Sequence, residues 1–237
     1  MKNKFKIFLL LAIGSFAVSC SDDDNATPAP EPAAIFPKKI TIDIADNSFD
    51  LNYDFVYDAE KRISKIVATG HYNSVFTLSY NAKNQVSGVV ITGDNARTVA
   101  AVYDADGNLK AYAVDGGTPV MITYNTANQM YQGATFDYSL TADGNVDVLS
   151  TSFLGYDNTK KGAFTNTGIN YMALTFIAES TFIYVIPTKP INAVSAPASS
   201  YDVENKFTDD GHIKLFDITD NNNPLKSFTI NYEYTTL

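Results

Sequence analysis

The sequence predicts an all-β chain, an antiparallel meander of repeated hairpins forming a curved sheet, a half-barrel or a sandwich. Three observations predict it. Tryptophan is absent while tyrosine and phenylalanine number fifteen each, and together with many Val, Ile and Thr this is the residue usage of strands. Apolar and polar residues alternate over short runs, as at Ser74, Phe76, Leu78 and Tyr80, the period-two pattern of a strand buried on one face. Between those runs a single turn pattern keeps returning.

The first 37 residues stand outside that pattern. Lys2, Lys4 and Lys6 precede an uncharged apolar run from Ile7 to Val18, too short for an ordinary membrane span and laid out as a secretory signal peptide. The run stops at Ala17-Val18-Ser19-Cys20, and Cys20 is the only cysteine. This segment resembles a bacterial lipoprotein signal, with Cys20 in the place of the lipobox cysteine that carries the acyl chains. The resemblance implies a signal peptide at 1–19, lipid attachment at Cys20, and the membrane as a partner. Residues 20–37 hold four prolines and three consecutive aspartates, the composition of a disordered tether. As a flexible coil it holds the domain on the order of 20 Å from the lipid. Ser21-Asp22-Asp23-Asp24 resembles the acidic export signal of Bacteroidota surface lipoproteins, which implies the outer membrane with the domain facing the cell exterior. A solvated linker is the plainer reading of the same charges.

The formal charge is −9, and cleavage after Ser19 removes three lysines, so the mature chain is more acidic still. Its few Lys and Arg are scattered, which excludes a nucleic-acid groove, since phosphate binding rests on clustered cations. With Cys20 acylated there is no thiol for a disulfide or a Cys-ligated metal. Residues 38–237 are expected to form a single all-β domain that is stabilised by burial.

The repeat begins at Tyr57. Its copies are Tyr57-Asp58-Ala59-Glu60-Lys61-Arg62-Ile63, Tyr80-Asn81-Ala82-Lys83-Asn84-Gln85-Val86, Tyr103-Asp104-Ala105-Asp106-Gly107-Asn108-Leu109 and Tyr124-Asn125-Thr126-Ala127-Asn128-Gln129-Met130, with tyrosines 23, 23 and 21 residues apart. Degenerate copies follow at Leu140–Val146 and Phe207–Ile213. Asp or Asn at the second place bonds a backbone N–H two residues on, and the fifth place needs φ > 0, which Gly and Asn tolerate. The expectation is a type I turn closed by a bulge, with Lys61 the most strained copy. These copies resemble the YD repeats of RHS-type proteins, best at Tyr103–Leu109, and the resemblance implies a hairpin scaffold. The toxin-enclosing role of large RHS shells does not carry over, because six hairpins cannot wrap a folded cargo.

In chain order, strands are expected near Lys39–Ile44, Leu51–Tyr57, Ile63–Ala68, Val75–Tyr80, Val86–Thr92, Thr98–Tyr103, Leu109–Val114 and Val120–Tyr124, with more from Met130 to Ser152. Residues 155–199 break the rhythm, and Met172, Leu174, Phe176 and Ile177 fit a short helix near 170–180 or a buried strand; a helix covering one end of the sheet is the expectation. Val203–Phe207, Ile213–Asp217 and Phe228–Tyr234 close the sheet. The strand after Lys38 and Lys39 is read as an edge that those charges protect.

No constellation points to catalysis. His71 and His212 lie beside turns, read as solvated, with no partners at metal-ligand spacing, and no Gly-x-Ser-x-Gly elbow occurs. Asp104–Asn108 and Asp217–Asn223 invite a calcium reading but lack the twelve-residue loop with its closing Glu; turn chemistry accounts for them. The expectation is a non-enzymatic, cofactor-free interaction or structural module whose partner is an envelope protein or an extracellular glycan. A glycan platform built from the repeat tyrosines requires three or more of them to be exposed on one face.

Overall fold

The computed structural model describes residues 33–237 except 48, 135 and 198; the signal peptide, Cys20 and residues 20–32 of the tether lie outside the described residues. The strands are β1 Ile35–Ile44, β2 Leu51–Tyr57, β3 Ile63–Gly70, β4 Ser74–Tyr80, β5 Val86–Gly93, β6 Arg97–Tyr103, β7 Leu109–Val114 and β8 Val120–Met121. Then come β9 Thr123–Asn125, β10 Met130–Gln132, β11 Asp137–Leu140, β12 Val146–Leu149, β13 Ser152–Tyr156 and β14 Ile191–Ser195. Last are β15 Tyr201–Phe207, β16 Ile213–Asp220 and β17 Phe228–Thr236. Helices α1 Ala173–Ile177 and α2 Phe182–Val185 lie between β13 and β14.

These strands make two antiparallel sheets, one of eleven strands in the order β15-β16-β17-β1 through β8, the other of six in the order β14-β13-β12-β11-β10-β9. The all-β meander of the sequence reading is therefore the observed fold. The last hairpin pairs with the first strand, Ile42 lying opposite both Ile230 and Leu51. As a result β1 is an interior strand and Lys38 and Lys39 guard no edge, contrary to expectation. It also starts earlier than expected: Ile35–Pro37 belong to the strand, because Phe36 is buried with its ring edge-on to Tyr57 at 5.6 Å.

The turns follow from their Asx residues. Asp58 Oδ1 accepts the Glu60 and Arg62 N–H groups, Asn81 Oδ1 those of Lys83 and Gln85, and Asp104 Oδ1 that of Asn108. Lys61, Asn84, Gly107, Gly144 and Gly211 take the required positive φ. Register slips by one residue at Val56/Tyr57, Ser79/Tyr80, Val102/Tyr103, Ser139/Leu140 and Lys206/Phe207, the bulges that such turns impose. The fourth copy departs. Met130 pairs with Asn125 and Tyr131 with Tyr124 without a slip, and the residue at positive φ is Gln129, not Asn128.

The bulged turns explain the tyrosines. Tyr80 Oη–H donates to the Ile63 carbonyl at 2.6 Å and Tyr103 to that of Val86 at 2.8 Å; Tyr156 donates to Val146 at 2.6 Å and Tyr234 to Ile213 at 2.5 Å. Each acceptor is the first residue of a strand leaving a bulged turn, so the Tyr80 and Tyr103 rungs each tie one repeat turn to the preceding one, and Tyr234 ties the last strand to the β15–β16 turn. Tyr80→Phe is expected to cost about 1–2 kcal/mol by leaving a half-buried carbonyl without its donor, whereas Tyr124→Phe stays within about 0.5 kcal/mol. Urea unfolding of the two variants checks this.

Across β17, β1 and β2 the outward face carries Asn231, Thr41 and Asn52 in one row and Glu233, Lys39 and Asp54 in the next. The inward face carries Ile40, Tyr53, Ile66, Phe76 and Ile230, all buried. Residues 157–190 pack onto that inward face. Phe182 lies 5.1 Å from the Tyr53 ring and 5.8 Å from Phe76, while Phe176 stacks on Tyr138 of the smaller sheet at 4.3 Å. Helix α1 falls within the expected 170–180, but with α2 it lies between the two sheets instead of covering one end. The reason is compositional: Tyr171, Leu174, Ile177, Phe182 and Val185 are apolar on all sides and are buried.

Candidate functional site

By the β7–β8 register, in which Ala111 lies opposite Met121, Tyr124 should stand opposite Asn108 and reach the Leu109 carbonyl as Tyr80 and Tyr103 reach theirs. That rung is missing. After the Ile122 N–H bonds the Lys110 carbonyl at 2.8 Å, the chain leaves β7 and joins β10, with Ile122 buried at the crossing. Strand β10 then pairs with β11 through only Tyr131–Tyr138 and Gln132–Asp137, and the hairpins splay apart.

The opening is a groove of about 700 Å³ lined by Asn108, Tyr124, Met130, Ser139, Asp147 and Phe153 among others. It adjoins a cavity of about 290 Å³ between the third turn and α1, floored by Tyr138, Met172 and Phe176; Asn108, Leu140 and Gly144 line both. Tyr124 is 51% exposed and Phe153 57%. Behind Tyr124 the rings form a run: Tyr124–Tyr131 at 4.8 Å, Tyr131–Tyr138 at 4.9 Å and 16°, then Tyr138–Phe176. Burial, and then the charge of Asp104, push the Tyr131 hydroxyl above its ordinary pKa. The groove therefore offers the uncharged Tyr131 phenol at neutral pH, one carboxylate, and amide and hydroxyl groups.

The sequence-predicted residues are placed as follows. Cys20 lies outside the described residues. His71 is exposed and lies 4.2 Å from the Phe49 ring. His212, read as a solvated turn residue, is instead 1% exposed. Its Nδ1 bonds Asp210 Oδ2 at 2.8 Å and its Nε2 the Asn166 amide at 3.1 Å. An amide nitrogen only donates, so Nε2 is the acceptor and Nδ1 carries the proton. Burial lowers the pKa of this imidazole against the opposing pull of Asp210. Both ring nitrogens are thus committed to structural partners. The same Asn166 amide reaches the Ile35 carbonyl, clamping β1 to the β15–β16 turn.

In the acidic pieces the oxygens serve a turn at Asp220 and a cross-strand pair at Asp217. Asp220 Oδ1 accepts the N–H groups of Asn222 and Asn223, and Asp217 Oδ1 the Thr229 hydroxyl. Among the described residues no three His, Cys, Asp or Glu side chains gather to hold a metal. Of the four leading repeat tyrosines only Tyr124 is exposed, so the platform of three does not form. Sequence reasoning missed Tyr131, Phe153 and Phe176. A signal for the first was present: Tyr124, Tyr131 and Tyr138 recur every seven residues, the spacing that puts them opposite one another in consecutive short hairpins.

No family model matches this chain, and no curated protein is similar to it. Among solved structures it is similar to a porin-like protein from Bacteroides uniformis, with 12% identity over 86% of this chain and 99% of that one and a TM-score of 0.46. A porin-like protein from Bacteroides vulgatus shows 14% identity over 86% and 100%, with a TM-score of 0.38. The Photorhabdus luminescens Tc holotoxin pore shows 11% identity over 79% of this chain and 10% of that one.

Proposed function

We propose that this chain is a lipid-anchored envelope protein, carried on the outer membrane and facing the exterior, that acts as a non-enzymatic interaction module. The observation that carries the interaction role is the groove at the missing tyrosine rung, where the exposed Tyr124 ring and neutral polar groups such as Asn108 and Ser139 line an opening without a paired acid and base. Such a site binds through shape and hydrogen bonding and has no poised proton donor or nucleophile. The address rests on the basic start, the apolar run and Cys20. A water-filled pore is a poor alternative. The inward face is filled by Phe182, Leu174 and Phe76, and charged residues such as Lys39, Asp54 and Glu233 face outward, the reverse of the apolar belt of a membrane barrel.

Fractionation of the producing cells tests the anchor. The native chain is expected in the membrane pellet and open to protease on intact cells, and Cys20→Ala is expected in the soluble fraction. A Cys20→Ala chain that still sediments with membranes refutes acylation there, and protease resistance on intact cells refutes the outward orientation.

A further inference from the structure

We propose that the cavity of about 290 Å³ between the third turn and α1 binds a phenol, whose hydroxyl donates to the Leu109 carbonyl in the place of the missing tyrosine rung; this rests on reading the chain as an interaction module and names the chemistry it recognises. The ladder itself defines the site. Ile63 and Val86 are the first strand residues after the first two bulged turns, and their carbonyls accept the hydroxyls of Tyr80 and Tyr103 from the next hairpin. Leu109 holds the same place after the third turn, which is closed like the others, the Asp104 N–H donating to the Asn108 carbonyl at 3.0 Å. Among the described residues no side chain donates to the Leu109 carbonyl. Leu109 is buried and lines the cavity, and backbone groups of buried residues are paired in the great majority of cases. Tyr124 does not supply the donor, because its backbone is held opposite Tyr131 of β10. A ligand hydroxyl can.

The rest of the cavity selects an uncharged ring. Tyr138, Met172 and Phe176 give it an apolar floor, and aromatic rings and a thioether both pack well on an aromatic ligand. That floor is preformed: Tyr138 lies between Tyr131 at 4.9 Å and Phe176 at 4.3 Å, stacked on both, so little ordering is lost on binding. Charged side chains of each sign line the cavity, Lys83 and Asp106, and Lys83 Nζ already donates to the Ala105 carbonyl at 3.3 Å. Neither an anion nor a cation is therefore favoured. An aliphatic alcohol would satisfy the carbonyl without covering the aromatic floor, and a plain hydrocarbon ring would do the reverse. The volume lies close to the lower end for ligand clefts, about 300 Å³, which suits a small ligand.

Nuclear magnetic resonance of the purified full-length chain, isotope-labelled at leucine carbonyls and lysine amides, tests the proposal. The Leu-Lys steps in the sequence are Leu109-Lys110 and Leu225-Lys226, so one correlated resonance reports on the site and the other on an exposed control. p-Cresol, the tyrosine side chain cut at Cβ, is expected to move the Leu109 carbonyl resonance downfield and to leave that of Leu225 in place. It is expected to bind more tightly than toluene, which brings no donor, by about tenfold or more. Ala173→Phe, which fills the cavity, is expected to abolish the movement, and an unaltered urea midpoint shows that variant to be folded; should it not fold, the toluene comparison decides alone. No movement at Leu109, equal affinity for toluene, or binding kept by folded Ala173→Phe each overturns the proposal. The blocked tripeptide Gly-Tyr-Gly, set against Gly-Phe-Gly, separates the sources of the phenol: binding of the tyrosine tripeptide assigns it to a partner's tyrosine, and its exclusion while p-cresol binds assigns it to a free phenol. A photo-crosslinking amino acid at position 124 on intact cells separates the two readings. A protein adduct without p-cresol binding overturns the phenol and leaves the interaction module standing; neither adduct nor binding overturns both.

Discussion

Phe182→Ala is expected to lower the unfolding free energy by about 3–5 kcal/mol, the range for deleting a buried aromatic ring. The upper part of that range applies here, because the ring packs against Tyr53 of β2 and Phe76 of β4. Both neighbours sit in sheet strands paired on either side, so the surroundings cannot collapse into the vacated space. Urea denaturation followed by circular dichroism measures the loss. Leu225→Ala, at a site 61% exposed, serves as the control and stays within about 0.5 kcal/mol. Equal midpoints for the two variants would show that residues 157–190 merely cover the sheets and do not supply the core between them.

Gly93→Ala has the second large effect. Gly93 takes φ +90°, and a Cβ there would stand 2.3 Å from the Asn73 carbonyl oxygen. Gly70 repeats the geometry, with φ +120° and 2.3 Å to the Asp50 oxygen. Backbone occupies the space, so the hairpin itself must move. Strain at such a φ costs on the order of 1–3 kcal/mol, and forcing atoms into filled space about 1–3 kcal/mol more. A loss of about 3 kcal/mol or more is expected. Gly116→Ala isolates the conformational part, because Gly116 has φ +69° with open space around it and should cost about 1 kcal/mol. Equal losses in the two variants would remove the close approach as the cause.

Gly70 and Gly93 lie 23 residues apart, as do Tyr57, Tyr80 and Tyr103. The repeat therefore marks both ends of each hairpin, glycine at one and tyrosine at the other, and only the tyrosine end was read from the sequence. The strand bounds at Leu51–Tyr57 and Leu109–Val114 were read to the residue because Asx and Gly corners delimit them. Tyr124 shows where this reading stops. Its local motif is as good as that of Tyr80, yet its ring stands exposed, since the chain leaves β7 one residue after Met121 to pair elsewhere. His212 is the parallel case: its turn was legible, but the Asn166 amide that buries and orients it comes from 46 residues away.

Strand periodicity and turn chemistry are local properties, governed by residues within about seven positions of one another, and they suffice for the hairpins, the bulges and the all-β class. Which hairpins pair, that β17 closes onto β1, that an apolar stretch with two short helices fills the space between two sheets, and where the tyrosine ladder breaks to open a groove are of another kind. They depend on contacts between residues far apart in the chain, where burial and sheet closure choose among arrangements that the local pattern leaves equal.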